Sequence, residues 1–205
     1  MSNLRRSGYQ RSKRIQGSSK GFLSQINLPN KLTLLRVILV PVFVLFMLWP
    51  MKSNVGRYIA LAIFIVASLT DFLDGQIARR NNLVTNFGKF MDPLADKLLV
   101  CSAMICLQSL GQLKAWFVII IIAREFIISG FRLVASDAGI VIAASYWGKF
   151  KTVSQMVMII LLILNLGGPF EVINNIVMIL ALILTIVSLV DYIAKNLEVI
   201  TSGGM

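Results

Sequence analysis

Residues 58–80 read YIALAIFIVASLTDFLDGQIARR, an apolar run from Tyr58 to Ile77 that takes in Asp71 and Asp74 near its end and closes on Arg79 and Arg80. A helix needs about 20 apolar residues to cross a bilayer, so this stretch reads as a span with two carboxylates toward one end. An Asp at mid-membrane costs about 2.5 to 3.5 kcal/mol on the insertion scale. Acids in that position therefore need a cationic partner or water.

Five comparable runs lie outside it: Leu32 to Trp49 before, then Pro93 to Leu110, Ala115 to Ala135, Thr152 to Leu166 and Val172 to Ala194. The connections at Pro50 to Gly56, Asn81 to Gly88, Gly111 to Lys114, Ser136 to Lys149 and Gly167-Gly168-Pro169 carry turn residues. The 205 residues are 57% hydrophobic and 14% charged, and the mean hydropathy is +0.81. A soluble domain carries about 25% charge, so that class is excluded, and no room remains for a separate soluble domain. The expected fold is all-α, an integral membrane bundle of six transmembrane helices. Ahead of it, Phe22 to Leu28 is expected to form a short juxtamembrane amphipathic helix before Pro29. Residues 1–28 are then a basic tail with an interfacial segment, and residues 29–205 the membrane domain.

Charge orients the bundle. Twenty Lys and Arg against nine Asp and Glu give +11, and the first acid in the chain is Asp71. Arg5, Arg6, Arg11, Lys13, Arg14 and Lys20 precede the first apolar run and suit anionic lipid head groups. With the amino terminus inside, that face also collects Lys31, Arg79, Arg80, Lys89, Arg132, Lys149, Lys151 and Lys195, against Lys52, Arg57 and Lys114 opposite. Both termini are expected on the cytoplasmic side of the cell membrane. The acid-free start also fits an organelle transit peptide, which would place the chain in an organelle inner membrane. Nucleic acid is not an expected partner, since no folded basic domain stands behind the tail.

The chain has no His, which removes histidine bases, Ser-His-Asp triads and His-ligated zinc. Cys101 and Cys106 lie five apart in an apolar run and read as packing residues. Acid/base or metal chemistry must rest on Asp and Glu. Asp71, Asp74, Asp92 and Asp96 fall within 26 positions. Asp71, Asp74, Gly75, Ala78 and Arg79 share one helical face. Asp92 and Asp96 are four apart on the next helix, where Pro93 suits the first turn and makes Asp92 a candidate cap. Oxygen ligands of this kind select Mg²⁺, Mn²⁺ or Ca²⁺ over zinc. Gly75 and Ala78 clear space beside Arg79, whose planar fork suits phosphate. Metals with an Arg point to a phosphate-bearing ligand; the bland alternative is a set of solvated helix-end charges, with the glycine serving helix packing.

The string Asp71-x2-Asp74-Gly75-x2-Ala78-Arg79-x8-Gly88-x3-Asp92-x3-Asp96 resembles, at every defined position, the signature of the CDP-alcohol phosphotransferases, a family of six-helix membrane enzymes. The resemblance implies that Asp71, Asp74, Asp92 and Asp96 bind two divalent ions, Mg²⁺ or Mn²⁺, that hold the pyrophosphate of a CDP-linked donor. It implies that Asp71, Gly75, Ala78, Arg79 and Gly88 form the donor site, that Asp96 is the general base toward the acceptor hydroxyl, and that the protein is a homodimer.

Three further stretches bear on the acceptor: Asn30 to Arg36, including Thr33 and Arg36; Ala123-Arg124-Glu125-Phe126 with Ser129-Gly130-Phe131-Arg132; and Gly148-Lys149-Phe150-Lys151-Thr152 with Gln155. The topology brings Arg124, Arg132, Lys149 and Lys151 toward one membrane face, where they suit a phosphate on the acceptor or serve as positive-inside anchors. Adjacent helical residues do not face each other, so Arg124 and Glu125 are expected to have separate partners rather than a mutual salt bridge. These stretches resemble the phosphatidylglycerophosphate synthase branch of the family. That resemblance, covering Asn27 to Asp191, implies CDP-diacylglycerol and sn-glycerol 3-phosphate as substrates, with membrane lipids around them. The alternatives are a cardiolipin synthase or an inositol-phosphate transferase of the same fold, or a divalent-metal transporter.

Overall fold

The computed structural model describes residues 28–49, 54–80, 86–137, 142 and 145–196, with the side chains of 28–32, 71–80, 86–93 and 137 outside the description. The basic tail and the expected amphipathic stretch, up to residue 27, lie outside the described residues. Six helices and no strand occur among the described residues: α1 Leu28–Leu48, α2 Val55–Arg80, α3 Asn86–Ser109, α4 Ala115–Asp137, α5 Tyr146–Leu164 and α6 Phe170–Lys195. The all-α expectation holds for them.

Two starts differ from expectation. α3 begins at Asn86, so Asp92 is not a cap and Pro93 lies in the helix interior. The apolar spacing of Phe87, Phe90, Met91 and Leu94, at i, i+3, i+4 and i+7, carries the helix back past the proline. α5 begins at Tyr146 rather than Thr152. Lys149 and Lys151 are helical residues, and Lys151 is buried against an acid instead of ending the helix in water.

The breaks follow local chemistry. α3 closes in a Schellman motif: Gln112 N–H donates to Leu107 O at 2.9 Å, Gly111 N–H donates to Gln108 O at 3.0 Å, and Gly111 takes φ 75°. α5 ends on Asn165 in the left-handed region, and Gly167 and Gly168, also at positive φ, lead to Pro169 at the start of α6.

The most extensive packing joins α1 to α2 and α3, and α5 to α6, while α2 and α3 reach α5 and α4 leans on α3 and α6. The core holds Phe43, Phe64, Leu99, Met104, Ile121 and Ile159, with the Phe43 and Phe64 rings 6.1 Å apart and tilted. α5 and α6 are each long and apolar enough to cross a membrane. On α6 the buried residues are Ala181, Thr185, Ser188 and Tyr192, whereas Val172, Ile176, Ile179, Ile183, Ile186 and Val190 are 47–62% exposed. Small and polar residues inside with branched aliphatics outside is the arrangement of a helix in lipid, where association rests on packing and hydrogen bonds.

Candidate active site

Side-chain contacts gather the middle of α3, the middle of α4, the beginning of α5 and the last third of α6 into one region. Glu125 on α4 is its hub. Its carboxylate accepts a hydrogen bond from Lys151 Nζ of α5, another from Arg124 Nη1 at 3.0 Å, and lies 4.0 Å from Lys97 Nζ of α3. Among the described residues this one carboxylate faces three cations. Lys151 is 1% exposed and Arg124 8%, so little water screens those two.

The pairing of Arg124 with Glu125 corrects the expectation of separate partners. Their Cα–Cβ bonds diverge, but both side chains are long enough to curl to a common point. The expected outside partners exist as well: Arg124 Nη2 donates to Ser188 Oγ of α6 at 2.9 Å, and Glu125 holds Lys151. Gly148 at the start of α5 passes beside the guanidinium, where a Cβ would stand in ordinary contact at 3.8 Å from Arg124 Nη2.

Asp96 sits one turn before Val100 and Cys101 on α3 and is partly exposed. Asp96 precedes Lys97 in the chain, next to a member of the Glu125 cluster. Thr33 and Arg36 are buried on α1, and these two and Asp96 each take part in interactions. Gln155 is buried and donates to Met104 Sδ at 3.3 Å, tying α5 to α3. Lys149 is exposed, with its Nζ 5.2 Å from the centre of the Tyr146 ring. Arg132 is exposed near the end of α4. Of the four expected acceptor-side cations, Arg124 and Lys151 meet at Glu125, and Arg132 and Lys149 flank that end of the bundle.

The chain course places Asp71, Asp74, Gly75, Ala78 and Arg79 in the last turns of α2, and Gly88 and Asp92 in the first turns of α3. Their side chains lie outside the described residues. Among the described residues no group of three or more Cys, Asp or Glu is placed to hold a metal. Cys101 and Cys106 are free and buried, as packing residues would be.

Sequence reading missed Lys97, Ser188 and Tyr192. Lys97 stands beside Asp96 in the chain, and the α6 residues carry a signal of their own. Ala181, Thr185, Ser188 and Tyr192 recur at steps of four, three and four through a run otherwise made of Ile, Leu and Val.

Comparison with known proteins adds to this geometry. The model of a family described as CDP-alcohol phosphatidyltransferase matches residues 26–187. A CDP-diacylglycerol--glycerol-3-phosphate 3-phosphatidyltransferase of Bacillus subtilis is 50% identical over 149 residues, covering 68% of this chain and 77% of that protein. A protein of Mycobacterium tuberculosis named "Probable phosphatidylglycerophosphate synthase" is 44% identical over 172 residues, 83% of this chain and 82% of its own length. A Rickettsia typhi protein with the same name as the Bacillus one is 41% identical over 138 residues, 67% of this chain and 76% of its own.

Proposed function

Because this chain belongs to the CDP-alcohol phosphatidyltransferase family, we propose that its two groups of charged residues divide the substrates between them: carboxylates of α2 and α3 for the donor, the Glu125 cluster for the acceptor. The protein is a membrane transferase of phospholipid biosynthesis. It moves the phosphatidyl group of CDP-diacylglycerol to sn-glycerol 3-phosphate, giving phosphatidylglycerol phosphate and CMP, the activity for which its Bacillus and Rickettsia relatives are named. The observation that carries the acceptor assignment is the convergence of Arg124, Lys151 and Lys97 on Glu125, a group of donors that suits a phosphorylated acceptor better than a neutral alcohol.

On the donor side, Asp71, Asp74, Asp92 and Asp96 offer only hard oxygen donors, in a chain without His, so the donor set fits two Mg²⁺ or Mn²⁺ ions. When bound, such ions neutralise the departing CMP and polarise the phosphorus under attack. Gly75, Ala78 and Gly88 leave space for the cytidine diphosphate, and Arg79 binds its phosphates. Asp96 accepts the proton of the acceptor's C1 hydroxyl. The C1 oxygen then bonds to the phosphatidyl phosphorus as the bond from that phosphorus to the CMP oxygen breaks. Arg124, Lys151, Lys149 and Arg132 orient the acceptor by its phosphate. Thr33, Arg36 and Gln155 hold the surrounding helices in register.

All six helices cross the cell membrane, with both termini and the site at the cytoplasmic face, and two copies form a homodimer. Purified protein in liposomes tests the reading. CMP release that requires CDP-diacylglycerol, glycerol 3-phosphate and added Mg²⁺ or Mn²⁺, and that stops on chelation, is the expected result. Metal flux without consumption of the CDP-lipid would establish a transporter instead.

A further inference from the structure

α1 meets α2 along one face, and that face runs on to an arginine. The Phe43 and Phe64 rings stand 6.1 Å apart, and Val40 and Ala67, about one turn away on each helix, are buried in the same core. Residues 49–54 are too few to return along the 21 residues of α1, so the two helices run antiparallel. Toward the beginning of α1 and the end of α2, the next positions on these faces are Arg36 and position 71, each seven residues, about two turns, from the phenylalanine pair. Thr33 and position 74 follow three residues further on. Arg36 is 2% exposed and Thr33 3%.

A buried cation on α1 is therefore level with the turns of α2 that bring in Asp71 and Asp74. α1 also packs extensively on α3, whose first turns carry Asp92. Carboxylates gathered at the ends of two neighbouring helices repel one another, and away from bulk water they need positive charge nearby before any metal binds. We infer that Arg36 is the standing counter-charge of the carboxylate site. It offsets the mutual repulsion of the acids in the metal-free protein and opposes the charge of the ions when they enter, so the site exchanges metal without the bundle coming apart. The inference rests on the reading of Asp71, Asp74, Asp92 and Asp96 as metal ligands given above, and it brings α1 into the electrostatics of that site.

The test compares Arg36→Met, which keeps a long side chain without the charge, with Arg36→Lys, which keeps the charge. Each full-length protein is melted in detergent with a chelator and with saturating Mg²⁺, and Mn²⁺ affinity is measured from the paramagnetic resonance of the free ion. Arg36→Met should melt lower than the unsubstituted protein in chelator and recover most of that loss in Mg²⁺. It should also bind Mn²⁺ about tenfold more tightly, because a fixed cation close to a divalent ion repels it by an energy of that order. Arg36→Lys should keep the Mn²⁺ affinity within about twofold and the same rise in melting temperature with Mg²⁺. An arginine that serves packing alone predicts a loss in Arg36→Met that is equal with and without Mg²⁺ and an unchanged Mn²⁺ affinity, which overturns the inference. Weaker Mn²⁺ binding in Arg36→Met overturns it too, as does an Arg36→Lys protein that behaves like Arg36→Met. An unsubstituted protein that neither binds Mn²⁺ nor is stabilised by Mg²⁺ would overturn the metal reading of the carboxylates and the inference with it.

Discussion

Burying Lys151 beside Glu125 takes an ammonium and a carboxylate away from water, and the ammonium is costly there without the acid. Glu125→Gln should therefore cost about 3–5 kcal/mol of stability by stranding Lys151. The double variant Glu125→Gln/Lys151→Met should recover much of that loss. Unfolding in detergent measures both, and a single variant as stable as the unsubstituted protein would contradict the burial of the pair. Lys149 offers the complementary case, because it is exposed and lies over the Tyr146 ring. Lys149→Ala should change stability by less than about 0.5 kcal/mol while raising the KM for glycerol 3-phosphate more than that for CDP-diacylglycerol. Equal effects on both substrates would assign Lys149 to anchoring at the membrane face. At this scale the sequence revealed which residues carry charge but not which of them meet. The spacing of Arg124 and Glu125 argued against a bond that two flexible side chains make, and nothing in the chain near Glu125 announces Lys97 or Ser188.

At the scale of the element, α6 has its polarity reversed relative to a soluble helix, with Thr185 and Ser188 buried and Ile179 and Ile183 outside. Ile183→Lys puts a charge on the outer face, near the middle of the run, where the insertion cost is about 2.5–3.5 kcal/mol. The expected outcome is a smaller membrane-integrated fraction after alkaline extraction of membranes. Undiminished integration would mean that this face does not meet lipid. Helix type was legible throughout, since each apolar run became a helix. Ends were less so where an amino acid's usual preference met a stronger pattern. Pro93 suggested a start, yet the spacing from Phe87 to Leu94 extends α3 back to Asn86. Lys149 and Lys151 suggested a loop, yet Glu125 gives one of them a partner inside the bundle.

Across the whole molecule, the distribution of Lys and Arg between the two sets of loops predicts sidedness. In intact cells, Lys114→Cys should react with a membrane-impermeant maleimide, and Asn196→Cys only after permeabilisation; Cys101 and Cys106 are buried and should contribute little background. The reverse pattern would invert the bundle. The membrane class, the six helices among the described residues and the carboxylate signature from Asp71 to Asp96 could all be read along the chain, because each is a matter of local composition or fixed spacing. The cluster around Glu125 could be read only in part. It is assembled from α3, α4, α5 and α6, and the contacts that unite Lys97, Glu125, Lys151 and Ser188 exist only once those helices pack.

CMP release by the purified protein from CDP-diacylglycerol, measured with sn-glycerol 3-phosphate, inositol phosphate and phosphatidylglycerol offered in parallel, tests the central claim most directly. The account predicts turnover with glycerol 3-phosphate, and its loss in Asp96→Asn with CDP-diacylglycerol binding retained. Turnover with inositol phosphate or phosphatidylglycerol and none with glycerol 3-phosphate would contradict it.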